Sequence, residues 1–214
     1  LRAIARALEE SQAEVLEANR ADYAEARDGG MGEAMLDRLF LDESRLSAMA
    51  EDVHTVAALP DPIGEVIEAR TLPNGLAVSR RRVPLGVIAA VYESRPNVTI
   101  DISVLCLKSG NAIILRGGHE AIRSNAALAR LVQTAIADAG LPPEAVQMIE
   151  SADRDIVLQM LRYHGAIDLL IPRGGASLIE FVRDNALIPV VTGGIGVCHT
   201  YVDRSADQDK AVAI

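Results

Sequence analysis

Residues 83–120 read VPLGVIAAVYESRPNVTIDISVLCLKSGNAIILRGGHE. An apolar run, Val87 to Tyr92, breaks at the polar turn Glu93-Ser94-Arg95-Pro96-Asn97. Helical spacing then carries Ile100 to Leu107. Lys108-Ser109-Gly110-Asn111 turns the chain into a second apolar run, Ala112 to Leu115, closed by Arg116-Gly117-Gly118. Strand, polar loop, helix, strand and glycine turn make a βαβ unit with two parallel strands. Ligands of open parallel sheets sit at the carboxyl ends of strands. Chemistry is therefore expected at 93–97 and 116–120.

The pattern continues downstream. Residues 120–139, 153–163 and 178–184 have helical spacing, and 146–149, 166–171 and 188–191 read as short strands. Such alternation predicts an α/β fold with a parallel sheet covered on both faces. Upstream, apolar residues at 1, 4, 5, 8, 15, 16 and 23 predict one amphipathic helix over 1–26, stopped by Asp28-Gly29-Gly30. A short helix is expected over 32–40, and Asp42 is placed to cap a helix over 43–59. Residues 65–72 and 76–83 flank Pro73-Asn74-Gly75, a hairpin signal, with Arg80-Arg81-Arg82 on the second arm. That charge run reads first as a solvated face, with phosphate attraction or a subunit contact as the alternatives. Residues 198–202 are β-like, and Ser205-Ala206-Asp207-Gln208 reads as a capping box opening a last helix. Leu1 already stands within a helical pattern and the pattern still runs at Ile214, so both ends read as cut from a longer polypeptide.

Half of the 214 residues are hydrophobic, while aromatics make up 3% and Trp is absent, so the core must be Ala, Val, Ile and Leu. The net charge of −9 argues against a nucleic-acid or anionic-membrane surface, which needs a basic field. No apolar run approaches the roughly 18–20 residues of a membrane span, and no signal peptide opens the chain. Two cysteines, Cys106 and Cys198, form no disulfide framework and suit a reducing cytoplasm.

Three predicted strand ends carry glycine turns: Arg116-Gly117-Gly118, Arg173-Gly174-Gly175 and Gly193-Gly194-Ile195-Gly196. Glycine lets backbone approach a ligand closely and adopt positive φ. Helix starts favour phosphate, and arginine can grip it with two parallel hydrogen bonds. Together they point to a nucleotide or phosphate site, although the G-x-G-x-x-G fingerprint is missing.

The segments YESRPNVT (92–99), LKSGNAIILRGGHEA (107–121), IDLLIPRGG (167–175) and PVVTGGIGVCHTYVD (189–203) resemble the gamma-glutamyl phosphate reductase (glutamate-5-semialdehyde dehydrogenase) family, within the aldehyde dehydrogenase superfamily. The resemblance runs through essentially the whole chain. It implies a Rossmann-like sheet that binds its cofactor without the usual glycine fingerprint, with N-terminal helices and a β-hairpin extension. The implied domains are a helical part of the cofactor domain (1–59), an oligomerisation-type hairpin (60–84), an NADPH-binding α/β domain (85–192) and the entry to a catalytic domain (193–214). The implied reaction is reduction of L-glutamate 5-phosphate by NADPH to L-glutamate 5-semialdehyde and phosphate, the second step of proline synthesis from glutamate. A homo-oligomer is expected, and hand-over of a labile acyl phosphate from glutamate 5-kinase is plausible.

The resemblance assigns roles to individual residues. Asn97 stands for the asparagine that holds the thioester oxyanion, against an Asx turn or helix start after Pro96. Glu93, Ser94 and Arg95 are expected in the same pocket, with Ser94 and Arg95 on substrate. Arg116 stands near the adenosine ribose, where a guanidinium suits the 2′-phosphate of NADPH. Glu120 lies one residue past the usual acidic position, which puts its ribose role in doubt. Gly117, Gly118, Gly174, Gly175, Ser177, Gly193 and Gly194 complete the expected cofactor contacts. Val191-Thr192 stands where hydrolytic relatives carry a glutamate that activates water. The nucleophilic cysteine of this family lies in a C-N-A-A-E type segment, expected beyond Ile214. Cys198 is only a weak alternative, because its neighbour His199 would point to the opposite face of a strand. Cys106 reads as core. Two rival readings remain: a nucleotide-binding module without catalysis of its own, and a cysteine hydrolase using Cys198.

Overall fold

The structure is a computed structural model and describes residues 1–193 and 199–212, with only the backbone of Val212. Its centre is β3 (Val87–Tyr92), which pairs in parallel with β4 (Ala112–Arg116) on one side and β6 (Leu169–Arg173) on the other. A short outer strand, β5 (Val146–Met148), pairs with β4, giving the all-parallel order β5-β4-β3-β6. Helices on both faces explain why β3 is an unbroken apolar run rather than an alternating one. Ile88, Ala90 and Tyr92 enter one core, while Ala89 and Val91 enter the other. The chain steps outward from β3 to β4 to β5, then crosses back to β6. This reversal opens a crevice at the carboxyl ends of β3 and β6, the usual place for a ligand in such sheets.

The helices between the strands are α5 (Asn97–Lys108), α6 (Ile122–Asp138), α7 (Arg154–Met160) and α8 (Ala176–Asn185). The first core is closed by α1 (Arg2–Glu10), α2 (Gln12–Asp28) and α4 (Glu43–Ala58), with α3 (Glu33–Leu39) between α2 and α4. As expected, Asp42 caps α4, accepting from the Arg45 N–H at 2.8 Å.

Several boundaries differ from expectation. The single helix over 1–26 breaks at Ser11, and the apolar spacing is silent between Leu8 and Val15, so no core contact holds a straight helix there. The two pieces then pack against the rest, α1 against α4 and α6 and α2 against α6. The helix after β3 starts at Asn97 rather than at Ile100. β6 runs from Leu169 through Pro172 to Arg173, later than 166–171. The strand expected over 188–191 is reduced to one parallel bridge, Leu170 with Val190. The final helix α9 (Gln208–Val212) is capped by Asp207, which accepts from Asp209 and Lys210 N–H; Ser205 bonds Asp203 instead, so no capping box forms. Residues 199–202 have no regular secondary structure, and Cys198 lies outside the described residues.

The hairpin β1 (Val66–Thr71) and β2 (Ala77–Arg81) is antiparallel and exposed on both faces. Gly75 closes its turn at φ 86°, a conformation that favours glycine. Arg80 to Arg82 are exposed, with Arg82 paired to Glu65 at 2.6 Å, which leaves both the solvated-face and the subunit-contact readings open.

Candidate active site and cofactor cleft

Arg116 ends β4 and faces a cleft of about 720 Å³, also lined by Glu93, Ser94, His119, Glu120 and Ser177. The arginine is only 9% exposed. Its Nη2 donates to the carbonyl oxygens of Ala152 (3.1 Å) and Asp153 (3.5 Å), and its Nε has no partner. Among the described residues no carboxylate lies within ion-pair distance of it. Burial pulls its pKa below the ordinary value; Glu120 opposes that and nearby Arg154 adds to it. A buried cation without a counter-ion is unfavourable by itself and well suited to an anionic ligand.

Two carboxylates stitch the strand ends around this cleft. Glu120 Oε1 accepts from both the N–H and the hydroxyl of Ser94, each at 2.6 Å. Ser94 needs that support, being the only described non-glycine residue with positive φ (40°). Burial raises the Glu120 carboxyl, but the Ser94 bonds, the Glu120 backbone and His119 together hold it below its ordinary value. Glu93 Oε2 accepts from the Gly175 N–H at 2.8 Å, so it caps the start of α8 across the crevice.

The glycines earn their places differently from expectation. None of Gly117, Gly118, Gly174, Gly175 or Gly193 has a positive φ. A Cβ on Gly117 would strike the Asn125 amide and press on Tyr92; one on Gly118 would strike Glu120; one on Gly174 would meet Glu93 at 2.5 Å. Close packing by the chain's own side chains therefore favours glycine at these three positions in two turns. Gly193 has open space around it, and Gly194 lies outside the described residues.

Asn97 opens the first turn of α5 in a second cleft, of about 310 Å³, with Arg38, Arg45, Asp52 and Arg95. Its Nδ2 donates to Asp101 Oδ2 at 3.0 Å, and the residue is the first of α5, so the alternative reading as a helix start after Pro96 also holds. Asp101 is held above the ordinary carboxylate value by burial and by Asp52, against the Asn97 bond and Arg173. The expectation that Glu93, Ser94, Arg95 and Asn97 share one pocket is corrected here. Glu93 and Ser94 are drawn to the Arg116 side by Gly175 and Glu120, whereas Arg95 and Asn97 line the second cleft.

The model of the aldehyde dehydrogenase family matches residues 3–214. The chain belongs to the aldehyde dehydrogenase family. It is 57% identical over its whole length to a gamma-glutamyl phosphate reductase of Dehalococcoides mccartyi and 56% identical to one of Yersinia enterocolitica, covering 50% and 51% of those proteins. The crystal structure of gamma-glutamyl phosphate reductase from Thermotoga maritima superposes with a TM-score of 0.90 at 47% identity, over 99% of this chain and 51% of that one. The corresponding Saccharomyces cerevisiae structure gives 0.80 at 36% identity, over 88% and 48%. The chain thus spans about half the length of the curated relatives it matches.

Within this aldehyde dehydrogenase-family chain, Cys106 is buried in the core on α5, and burial pushes its thiol up to about 11, which removes it as a nucleophile at neutral pH. The thiol alternative Cys198 lies outside the described residues. Three polar residues with structural consequence are absent from the expectations. Asp22 of α2 accepts from the Arg123 and Ser124 N–H groups at the start of α6, capping a helix whose own N-cap, Ala121, has no side chain for the task. Asp101 holds Asn97, and Asn125 backs Gly117. Only Asp101 had a signal in the sequence, its i, i+4 spacing from Asn97. No described helix is long and apolar enough to cross a membrane.

Proposed function

We propose that this chain carries the cofactor-binding part and one oxyanion donor of an NADPH-dependent reductase. The substrate is L-glutamate 5-phosphate, and the products are L-glutamate 5-semialdehyde and phosphate, in proline formation from glutamate. The observation that supports this best is Arg116: a nearly buried guanidinium without a carboxylate partner among the described residues, at the mouth of the cleft on a parallel sheet. The names of the relatives supply the substrate class.

The residues fit a phosphorylated dinucleotide. Arg116 offers charge for the 2′-phosphate, Ser177 a hydroxyl on the same cleft wall, and Glu120 Oε2, not used by Ser94, an acceptor for a ribose hydroxyl. When bound, NADPH supplies the hydride. Asn97 donates a side-chain N–H to the oxygen that gains charge when the acyl carbon becomes tetrahedral, a contribution of about 3–4 kcal/mol in comparable sites. In this reading the cysteine that carries the acyl group belongs to the half of the relatives' length that this chain does not span. Residues 1–59, 60–84, 85–192 and 193–214 correspond in this reading to the helical part, the subunit-bridging hairpin, the NADPH domain and the entry to the catalytic domain. The exposed hairpin, with Val66, Ile67, Val78 and Val83 uncovered, supports a homo-oligomer. A cytoplasmic location and hand-over from glutamate 5-kinase belong to the same proposal.

A second reading, a nucleotide-binding module without catalysis of its own, draws on the buried state of Cys106 and the half-length match. Fluorescence titration with NADPH and NADH tests what both readings share. NADPH should bind more tightly; equal affinities would remove the role of Arg116, and no binding to a protein of the relatives' length containing this chain would overturn the proposal. Reductase activity in that longer protein separates the two readings.

A further inference from the structure

The amide of Asn97 has two ends of nearly equal shape and opposite hydrogen-bonding character. Only the nitrogen end helps a developing oxyanion; the oxygen end in the same place would repel it. Something must therefore choose between two orientations related by a half-turn. Asp101 lies four residues along α5 from Asn97, on the same helix face, and its Oδ2 stands 3.0 Å from Asn97 Nδ2. An ionised carboxylate only accepts, so it selects the orientation that turns Nδ2 toward it. One hydrogen of Nδ2 is then held by Asp101, and the second is left for a ligand in the cleft that Asn97 lines.

We propose that Asp101 is the positioning residue for the Asn97 amide, fixing it with the donor end available to the oxyanion. The inference rests on the oxyanion role of Asn97 argued above. Asp101 does not touch the reacting atoms and transfers no proton; it acts through Asn97 alone. The charged groups that bear on Asp101 are Asp52 of α4, which disfavours its ionised form, and Arg173 at the end of β6, which favours it. The Asn97 bond itself also favours the ionised form, so amide orientation and carboxylate charge support each other.

The test uses a protein of the relatives' full length containing this chain, and follows phosphate-dependent oxidation of L-glutamate 5-semialdehyde with NADP. Asp101→Leu should lower kcat about tenfold, the scale of a biased charge-assisted hydrogen bond, with little change in KM. Asp101→Asn, which keeps the size but can donate as well as accept, should also lower kcat, and Asp101→Glu should recover part of it. In an Asn97→Ala background, Asp101→Leu should have no further effect, an outcome that a purely structural role for Asp101 would not produce. If Asp101→Leu does not fold, Asp101→Asn carries the same comparison. A normal kcat in both Asp101 variants, a change confined to KM, or full additivity with Asn97→Ala would overturn the inference. An unchanged kcat in Asn97→Ala alone would remove the oxyanion role of Asn97 and this inference with it. A lowered kcat in Asn97→Ala with no effect of the Asp101 variants would remove only this inference.

Discussion

Glu120 and Ser94, on loops that follow neighbouring strands, are joined by two hydrogen bonds of 2.6 Å to one carboxylate oxygen. The pair fixes the turn after β3 against the turn after β4 and holds Ser94 at φ 40°. Two bonds to a buried charge resist an unfavourable backbone conformation, so the turn depends on the charge. Glu120→Gln should destabilise the fold by about 1–3 kcal/mol at neutral pH. The Glu120 carboxyl is lowered from 4.5 in the fold, so its contribution is complete above that value and is lost as pH falls through the lowered one. Thermal melts across acid pH check this: the gap between the two proteins should narrow as pH drops below about 4.5.

Asp22 caps α6 from another helix. Its two oxygens serve the Ser124 N–H and hydroxyl, each at 2.7 Å, and the Arg123 guanidinium at 3.1 Å. Asp22→Ala leaves buried donors unpaired at a helix start and should lose about 2 kcal/mol or more. Arg123→Ala removes a solvent-screened partner and should cost clearly less than Asp22→Ala. Urea unfolding with unchanged slope measures both.

Gly117 is required by Asn125 rather than by its own φ. Gly117→Ala should destabilise by about 1–3 kcal/mol, the range of overpacked sites. Gly193→Ala, with nothing within 4 Å of the new Cβ, should change stability by under about 0.5 kcal/mol. Trimming Asn125 to Ser alongside Gly117→Ala should return part of the loss, read from melting temperature.

Arg116 should behave oppositely in binding and in stability. Arg116→Met removes a buried cation that has no carboxylate partner, so stability should hold or rise by about 1 kcal/mol. NADPH affinity should fall about tenfold or more, with NADH affinity nearly unchanged. Calorimetric titration beside a thermal melt reads both, and a parallel loss of stability would argue that Arg116 is structural.

Much of the fold was readable because it repeats local patterns. The apolar run Val87–Tyr92, the turn at Pro73-Asn74-Gly75 and the cap at Asp42 each carry their cause within a few residues. Boundaries decided by packing were less legible: the gap in apolar spacing between Leu8 and Val15 permits a break without fixing it at Ser11, and Pro172 looks like a terminator but continues an edge-side strand. Of the candidate site, an arginine in the glycine turn after β4 could be read from the residues, while the role given to Asn97 came from the family resemblance. Their surroundings were not, because the partners stand far away in sequence. Ala152 and Asp153 hold Arg116, and Glu120 pulls Ser94 away from Arg95.

By itself the sequence determined the alternation of strand and helix, the parallel sheet and the two strand ends beside which the clefts lie, since hydrophobic period and glycine punctuation are local properties. Tertiary structure alone decided which side chains meet. The crossover from β5 back to β6 brings Gly175 to Glu93, and the packing of α2 on α6 brings Asp22 to Ser124. The same packing turned the single expected pocket into two clefts, because the half-buried carboxylates of Glu93 and Glu120 take their donors wherever the fold places them.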